Sequence, residues 1–276
     1  MIGAGTMGHG IAQVAAMAGY ETRLTDTSAD SLAAAWSRIQ SNLAGAVSRG
    51  KLTRARADAA IANIVPVAEL STAARDADLV IEAVVEEMAV KQSLFRQLDA
   101  VVPDETILAT NTSSLSVARI AEGTTRPGRV VGMHFFNPVH IMKLVEIVTH
   151  AGCDESVVAS ARAAAERMGK TTILVRDTPG FASSRLGVAL GLEAMRMLED
   201  GVASAADIDT AMELGYGHPM GPLRLTDLVG LDVRLKIAEY LHRELADEKF
   251  APPRVLREKV ERGELGKKTG KGFYEW

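Results

Sequence analysis

The chain opens on a glycine pattern of the kind that turns a β-strand directly into an α-helix. Gly3, Gly5 and Gly8 form G-x-G-x-x-G within "MIGAGTMGHGIAQ". The first glycine permits a tight turn, the second lets the backbone approach a pyrophosphate, and the third lets the helix pack closely. The N–H groups at the start of the following helix attract phosphate charge. The pattern therefore predicts a dinucleotide-binding loop, with Thr6 and Met7 also lining the ligand.

Only Met1 and Ile2 precede this loop. In a doubly wound sheet the strand before the glycines is central and pairs with a neighbour on each side. We expect "MIGAG" to be the end of that strand, with its first several residues absent from the sequence.

Asp26 lies eighteen residues after Gly8, at the end of the strand-like segment "TRLTD". A carboxylate at that place accepts hydrogen bonds from the adenosine ribose hydroxyls and repels a 2′-phosphate. The predicted cofactor is therefore NAD rather than NADP. The alternative for Asp26 is a turn or helix-capping aspartate before "TSAD".

Short β-rich runs alternate with helical segments over the first two thirds of the chain. The runs are "NIVPV", "ADLVIEAV", "ETILATNTSS" and "GRVVGMHFF", and residues 141–150 are a further strand candidate. This alternation predicts an α/β Rossmann-type fold with a doubly wound, mostly parallel sheet whose first strand is truncated. Beyond Pro179 and Gly180 the pattern is helical throughout. We predict a dinucleotide-binding domain at residues 1–177 and an all-helical domain for substrate binding and dimerisation at residues 178–276.

Charge and composition exclude several classes of protein. The net charge of -4 gives no general attraction to nucleic acid or to anionic membranes. The single cysteine, Cys153, rules out an intrachain disulfide, and the six histidines show no metal-binding spacing, so no metal is expected. No apolar run reaches the ~18 residues of a spanning helix. A cytoplasmic protein of a reducing compartment is the expectation.

A histidine and a glutamate stand out in "MHFFNPVHIMKLVEIV". His134 follows an apolar run, and Glu146 lies inside an otherwise apolar strand, where a charge is unfavourable unless it is paired. The imidazole of the preceding strand is the nearest candidate partner. Such a pair suits hydride transfer, because the imidazole removes a hydroxyl proton while the carboxylate orients the ring and stabilises its cation. The alternatives are a core histidine and a solvent-facing glutamate on an edge strand.

Several motifs together give the chain a resemblance to a known family. They are "GAGTMGHGIAQ", "NTSSL", "HFFNPV", "KLVEIV", "DTPGF", "HPMGPL", "DLVGLD" and "GKKTGKGFYEW", in this order from Gly3 to the C-terminus. The chain resembles the L-3-hydroxyacyl-CoA dehydrogenase family, and within it the bacterial 3-hydroxybutyryl-CoA dehydrogenases. The resemblance implies NAD-dependent oxidation of an (S)-3-hydroxyacyl-CoA to the 3-ketoacyl-CoA, and the reverse, within fatty acid metabolism.

The resemblance also implies roles for individual residues. His134 matches the catalytic base, Glu146 its partner, and Ser113 the hydroxyl that hydrogen-bonds the substrate oxygen near the nicotinamide. The positions that match residues lining the NAD site are Glu86, Lys91, Asn137 and Lys268. The alternatives are a solvated pair for Glu86 and Lys91, a helix N-cap for Ser113 and a tail lysine for Lys268.

One position departs from the family pattern. Where the family has a substrate-contacting asparagine in "GFxxNRL", this chain has Ser184 in "GFASSRL". Serine is shorter but still donates and accepts a hydrogen bond, so Ser184 stays among the predicted catalytic residues while the geometry of substrate contact is open.

Coenzyme A requires positive charge near its phosphates, and "SRGKLTRAR" supplies four cationic side chains within eight residues. The resemblance places the CoA nucleotide in this region, with Asn42, Arg49 and Lys51 as its contacts. The alternative is a solvated basic helix–turn–helix.

The apolar segment "GVALGLEAMRML" predicts a homodimer formed through the helical domain. Two rival functions remain at this stage. One is dehydrogenation of a free hydroxy acid such as a sugar acid, and the other is a non-catalytic, crystallin-like NADH-binding protein. The acyl chain length and the pathway are not encoded in any motif.

Overall fold

Strands and helices alternate along the first part of the chain and give way to helices alone in the second. The computed structural model describes residues 1–276 and divides them into two units, Met1–Asp177 and Thr178–Trp276. The strands of the first unit are β1 (Thr22–Leu24), β2 (Ile64–Pro66), β3 (Leu79–Glu82), β4 (Ile107–Thr110), β5 (Val130–Phe135), β6 (Leu144–Thr149) and β7 (Thr171–Arg176). Its helices are α1 (Gly8–Met17), α2 (Ala29–Ser48), α3 (Arg54–Ala62), α4 (Leu70–Ala74), α5 (Met88–Asp99), α6 (Val117–Ala121) and α7 (Glu155–Arg167).

The sheet of the first unit is parallel at all its strand pairs except one. Strands β3 to β7 are hydrogen-bonded in chain order, and only the β5–β6 pair is antiparallel. Strands β1 and β2 form a separate parallel pair. This arrangement confirms the mostly parallel sheet that the sequence predicts.

Residues 1–3 connect the two groups of strands. Ile2 forms a parallel bridge to Thr25 on one side and to Glu82 on the other. Its N–H donates to the carbonyl oxygen of Ile81 at 2.9 Å, and its carbonyl accepts from the N–H of Ala83 at 2.8 Å. The segment before the glycine loop therefore occupies the centre of the sheet, between β1 and β3.

Two apolar clusters hold the helices against this sheet, and α1 belongs to both. On one side Ile11 packs in a buried cluster with Met133 and Phe135 of β5 and with Val157 of α7. On the other, Ala12 and Ala16 join a cluster that includes residues of α2 and α3. Full burial of a Leu, Ile or Phe side chain contributes about 1.5–3 kcal/mol, so α1 is fixed from both faces and the glycine loop before it is fixed with it.

The second unit is built of helices and contains no β-strand. Its helices are α8 (Ser183–Glu199), α9 (Ala205–Tyr216), α10 (Pro222–Val229), α11 (Leu231–Leu245) and α12 (Arg254–Glu261). They enclose a core that includes Val188, Leu192, Leu231, Leu241 and Phe250. No helix in either unit has the length and apolar character needed to cross a membrane.

A buried carboxylate fastens the C-terminal segment to α10. Asp227, 1% exposed, accepts hydrogen bonds from the N–H groups of Phe273 and Tyr274 and from the indole N–H of Trp276, all at 2.9 Å. The acceptor capacity of this buried carboxylate is therefore used by the segment "GFYEW", which holds that segment in place.

Two details of the sheet differ from the sequence pattern. The strand expected over residues 141–150 begins only at Leu144, because Ile141 and Met142 lie in an exposed turn that reverses the chain between β5 and β6. Strand β7 is missed by the pattern: its residues are mostly exposed rather than buried, so its sequence lacks the buried face by which the other strands are recognised.

Candidate active site

Two of the three glycines in the opening loop are required by their surroundings, and the third faces open space. Gly3 has φ +91°, and a Cβ there would lie 2.6 Å from the carbonyl oxygen of Ala83. A Cβ at Gly8 would lie 1.8 Å from the carbonyl oxygen of Gly3, so any side chain would separate helix from turn. A Cβ at Gly5 would meet nothing within 4 Å. The open space is therefore at the glycine whose backbone is expected to face the pyrophosphate.

Helix α1 begins directly at Gly8, and no side chain caps its first turn. The N–H groups at this helix start carry partial positive charge and suit a phosphate. The loop and the helix start thus fit the diphosphate of a dinucleotide.

Asp26 ties the end of β1 to the glycine loop. Its Oδ2 accepts from the N–H of Ala4 at 2.7 Å, and its Oδ1 accepts from the N–H of Ser28 at 2.9 Å. The aspartate therefore makes the turn that the alternative interpretation proposed, and it also places a carboxylate against the loop, where an adenosine ribose is expected. These two roles are compatible.

A buried ion-pair network lies at the carboxyl end of β3. Lys91 is 1% exposed, and its Nζ lies 2.6 Å from Oε1 of Glu82 and 3.3 Å from Oε2 of Glu86. Glu82 also accepts from the hydroxyl of Thr110 at 2.7 Å. Because Lys91 is buried, the alternative of a solvated Glu86–Lys91 pair is wrong.

Glu86 connects this network to the loop that carries Ser113. Its Oε1 accepts from the hydroxyl of Thr112 at 2.5 Å and from the N–H of Ser113 at 2.9 Å, and it lies 3.4 Å from the Ser113 hydroxyl. The N-cap of the following helix α6 is Ser116, not Ser113, so the alternative of a capping role for Ser113 is wrong. The network holds the Ser113 backbone while its side chain stays half-buried beside Glu86.

Asn111, which sequence reasoning missed, joins the same loop to β5. Its Oδ1 accepts from the N–H of Phe135 at 2.8 Å, and Phe135 directly follows His134. The loop with Ser113 is therefore attached to the strand that carries the histidine. No local pattern in "NTSSL" indicates this bond, because its two residues are 24 positions apart in the sequence.

His134 and Glu146 are direct neighbours across the antiparallel pair β5–β6. His134 Nδ1 and Glu146 Oε2 lie 2.7 Å apart, and the two residues are 7% and 0% exposed. The carboxylate accepts the Nδ1–H, which fixes the tautomer with Nε2 as the basic nitrogen. The ring also packs against Phe136, with centroids 4.5 Å apart. Because Glu146 is buried on a central strand, the alternative of a solvent-facing edge glutamate is wrong.

The basic segment after α2 is exposed and is joined by cations from elsewhere in the first unit. Arg49 and Lys51 are exposed, whereas Asn42 is half-buried and donates to the side-chain oxygen of Gln13 at 3.1 Å. A neighbouring cavity of about 300 Å³ is lined by Arg56 of this segment and by basic side chains that the sequence motifs did not identify. The additional basic residues lining that cavity are His140, Lys143, Arg167 and Lys170.

The pKa of His140 is affected by the positive charges of this patch. Partial burial of its ring, together with the positive charges of His9, Lys170 and Arg49, lowers the pKa of His140 below its ordinary value. Burial likewise lowers the pKa of Lys170, whose ammonium donates to the carbonyl oxygens of Val139 and Met142. The patch therefore has an excess of positive charge that an anion would offset.

The remaining predicted residues lie at separate places. Asn137 is exposed just after β5. In the second unit, Ser184 is half-buried in the first turn of α8, and the ammonium of Lys268 pairs with Asp232. No three His, Cys, Asp or Glu side chains are grouped closely enough to hold a metal ion.

Family models match both units of the chain. Residues 1–178 match the family model "3-hydroxyacyl-CoA dehydrogenase, NAD binding domain", and residues 180–276 match "3-hydroxyacyl-CoA dehydrogenase, C-terminal domain". A probable 3-hydroxybutyryl-CoA dehydrogenase of Bacillus subtilis is 45% identical over 99% of this chain and 95% of its own length.

Two further relatives extend the comparison. The crystal structure of (S)-3-hydroxybutyryl-CoA dehydrogenase PaaH1 from Ralstonia eutropha is 38% identical, with a TM-score of 0.96 over 100% of this chain and 97% of that one. A 3-hydroxyadipyl-CoA dehydrogenase of Escherichia coli is 43% identical over 100% of this chain and 58% of its own length.

The glycine loop, Asp26 and the buried histidine–carboxylate pair define an NAD-dependent oxidoreductase. The chain belongs to the 3-hydroxyacyl-CoA dehydrogenase family. The predicted cofactor and class of reaction are thereby confirmed. Neither the free hydroxy-acid dehydrogenase nor the crystallin-like protein is supported.

Proposed function

We propose that this protein interconverts short-chain (S)-3-hydroxyacyl-CoA and 3-ketoacyl-CoA, with 3-hydroxybutyryl-CoA as a substrate, and that His134 is its catalytic base. The observation that carries the proposal is the 2.7 Å contact between His134 Nδ1 and Glu146 Oε2 in a buried setting. The names of the Bacillus subtilis and Ralstonia eutropha relatives support the four-carbon substrate.

In this mechanism, His134 Nε2 takes the proton of the 3-hydroxyl group. Glu146 holds the ring by its Nδ1–H and stabilises the imidazolium that forms, since an anion 2.7 Å from the ring favours its cation. NAD held at the glycine loop and Asp26 would supply the acceptor for the hydride that leaves the same carbon. Ser113 donates its hydroxyl hydrogen to the substrate oxygen, and the Glu86 network holds the loop that carries it.

The cofactor contacts belong to the same proposal. Gly3, Gly5, Thr6, Met7 and Gly8 surround the diphosphate at the start of α1. Asp26 accepts from the adenosine ribose hydroxyls. Around the nicotinamide half we place Glu86, Asn137 and Lys268, whereas Lys91 acts from within the core through Glu82 and Glu86, because it is only 1% exposed.

The phosphates of coenzyme A are proposed to bind at the basic patch of the first unit. Arg49 and Lys51 provide exposed cations beside half-buried Asn42. Burial and the positive charges of His9, Lys170 and Arg49 lower the pKa of His140, so several positive charges act at this patch. A polyanion offsets those charges, which is the electrostatic reason for placing it here.

The proposal also covers the oligomeric state of the protein and its location in the cell. Exposed apolar side chains on α8, α10 and α11 support a homodimer formed through the second unit; they are Leu186, Leu225, Leu228 and Val233. The measurement is light scattering after size exclusion, where a monomer at micromolar concentration would contradict the proposed homodimer.

A cytoplasmic location is proposed from the single free thiol, Cys153.

The function is tested by following NADH oxidation with acetoacetyl-CoA, longer 3-ketoacyl-CoAs and the corresponding free 3-keto acids. We expect turnover of the CoA thioesters, fastest for acetoacetyl-CoA, and competition by free CoA. Turnover of free acids with no effect of CoA would contradict the proposal.

A further inference from the structure

A carboxylate at the end of β7 contacts the residues that follow the Ser113 loop. Asp177 lies directly after β7, and its N–H donates to the carbonyl oxygen of Thr149 at the end of β6, at 2.8 Å. Its Oδ2 accepts from the hydroxyl of Ser116 at 2.8 Å and from the N–H of Ala118, also at 2.8 Å. The aspartate is thus held by its backbone beside β6, and its side chain reaches the start of α6.

Stabilisation of α6 alone is the simpler role for this contact, since a negative charge suits a helix N-terminus. The body of the helix is fixed in another way, however. Val117, Ile120 and Ala121 are 0%, 0% and 1% exposed, so α6 is packed into the core. Ser116 also caps the helix itself, by accepting from a backbone N–H of its first turn. The Asp177 contact is therefore expected to matter most for the residues before the helix.

The residues before α6 form a closed loop, which carries Ser113. The hydroxyl of Thr112 accepts from the N–H groups of Ser114 and Leu115, at 3.3 and 2.9 Å, and donates to Glu86 at 2.5 Å. These bonds define the internal shape of the loop. Where the loop lies then depends on the bonds that it makes to the rest of the first unit.

Two strands hold the ends of this loop close to the histidine–carboxylate pair. At its start, Asn111 accepts from the N–H of Phe135 on β5, at 2.8 Å. At its end, Ser116 donates to Asp177, which continues β7. Strand β6, which carries Glu146, pairs with both β5 and β7. Both ends of the loop are therefore attached to the part of the sheet that carries the pair.

We propose that Asp177 is a positioning residue, which holds the C-terminal end of residues 111–116 and thereby sets where the Ser113 hydroxyl meets the substrate oxygen. This inference rests on the proposed function, in which Ser113 donates to that oxygen. A misplacement of about 1 Å at the reacting groups can lower a rate by about 100-fold. An anchor three residues from Ser113 can thus affect turnover without touching substrate or cofactor.

The test measures kcat and both KM values in NADH oxidation with acetoacetyl-CoA. The variants are Asp177→Ala, which removes the acceptor, and Asp177→Asn, which keeps an acceptor oxygen but loses the charge. Asp99→Ala is the matched control, because one oxygen of Asp99 likewise accepts from a hydroxyl and an N–H, those of Thr125, at 2.7 and 2.8 Å. Thr125 belongs to none of the sites described above. The free energy of unfolding of each variant is measured with urea.

We expect Asp177→Ala to lower kcat by about 10- to 100-fold, with little change in either KM. Asp177→Asn should recover part of that loss, because a neutral acceptor can still bond to Ser116 and Ala118. Asp99→Ala should lower the free energy of unfolding but leave kcat unchanged.

A double variant shows whether Asp177 acts through Ser113. In the Ser113→Ala protein, the hydroxyl that Asp177 positions is gone. Adding Asp177→Ala should then cause no further loss of kcat, whereas two independent effects would multiply.

Unchanged kcat in Asp177→Ala would overturn the inference, and so would an equal loss of kcat in Asp99→Ala. The same fold loss from Asp177→Ala with and without the Ser113 hydroxyl would show that the aspartate acts elsewhere. Normal kcat in Ser113→Ala would remove the role of the serine and the inference with it, although the reaction would stand. Absence of turnover of every CoA thioester by the unmodified chain would contradict the proposed function itself and the inference that rests on it.

Discussion

His134 and Glu146 stand directly opposite one another in the antiparallel pair β5–β6, with Nδ1 and Oε2 2.7 Å apart. Residues facing each other in such a pair have Cβ atoms about 4.5–5.5 Å apart, which is the separation that an imidazole and a carboxylate can close. The contact therefore follows from strand register, and the two side chains are held in a buried setting that strengthens their interaction.

Replacement of the histidine tests its role as a base. His134→Ala is expected to lower kcat by about 10²- to 10⁴-fold, the usual contribution of a general acid–base group, while NADH binding measured by fluorescence is retained. Glu146→Gln, which keeps the shape of the partner but removes its charge, should lower kcat less. Near-normal turnover by His134→Ala would contradict the role of His134 as the catalytic base.

The buried Lys91–Glu82 pair is expected to contribute to the free energy of unfolding. Lys91→Met leaves the Glu82 carboxylate, 0% exposed, without its cation. Breaking one side of a buried pair destabilises a protein by about 3–5 kcal/mol, to be measured by urea unfolding. The matched control is Arg54→Met, which breaks the exposed Arg54–Asp58 pair and should change the free energy of unfolding by less than about 1 kcal/mol. Similar losses in both variants would contradict the prediction.

Asp26 is expected to set the choice of cofactor. Its carboxylate is bonded to the N–H of Ala4 in the glycine loop, so a 2′-phosphate placed there meets a negative charge. Asp26→Ser should reduce the preference for NADH over NADPH by about 10- to 100-fold in kcat/KM, since like charges in contact are unfavourable by several kcal/mol. If the unmodified protein used both cofactors equally well, this assignment would be wrong.

The basic patch is tested by kinetics with both substrates varied. Arg49→Ala combined with Lys51→Ala should raise the KM for acyl-CoA more than that for NADH, because loss of uniform binding appears in KM. Arg54→Ala is the control, since Arg54 already pairs with Asp58. Equal effects on the two KM values, or none, would contradict a role in CoA binding.

The lowered pKa of His140 predicts a pH dependence of CoA binding. Without ligand, partial burial and the charges of His9, Lys170 and Arg49 lower the pKa of His140 below its ordinary value, which disfavours the protonated ring. Bound phosphates oppose those charges and raise the pKa of His140, so binding takes up a proton and affinity rises as pH falls toward the ordinary histidine range. Calorimetry near pH 6 in two buffers of different ionisation enthalpy measures that proton. His140→Gln should abolish the uptake, and an unchanged uptake would refute the linkage.

Local patterns were sufficient for the sheet class and for the glycine loop, because both depend on periodicity and on residues close in sequence. The network at Glu82, Lys91 and Glu86 could not be inferred in the same way, since the helix α5 could have turned Lys91 to solvent without changing its pattern. Strand β7 was missed because it has few buried side chains. The sequence does not indicate that Arg234 is buried, because a helix with several lysines and arginines gives no sign of which cation lies in the core.

The histidine–carboxylate contact is defined by the pairing of β5 with β6, and the eight residues 136–143 between those strands take no part in that pairing. Length changes at the exposed residues 140–143 would therefore leave the pair together, whereas a shift of one residue within either strand would turn a side chain to the opposite face. Related sequences should thus tolerate length changes at residues 140–143 far better than within the two strands. Those four residues are a place where recognition can vary while the histidine–carboxylate pair is kept.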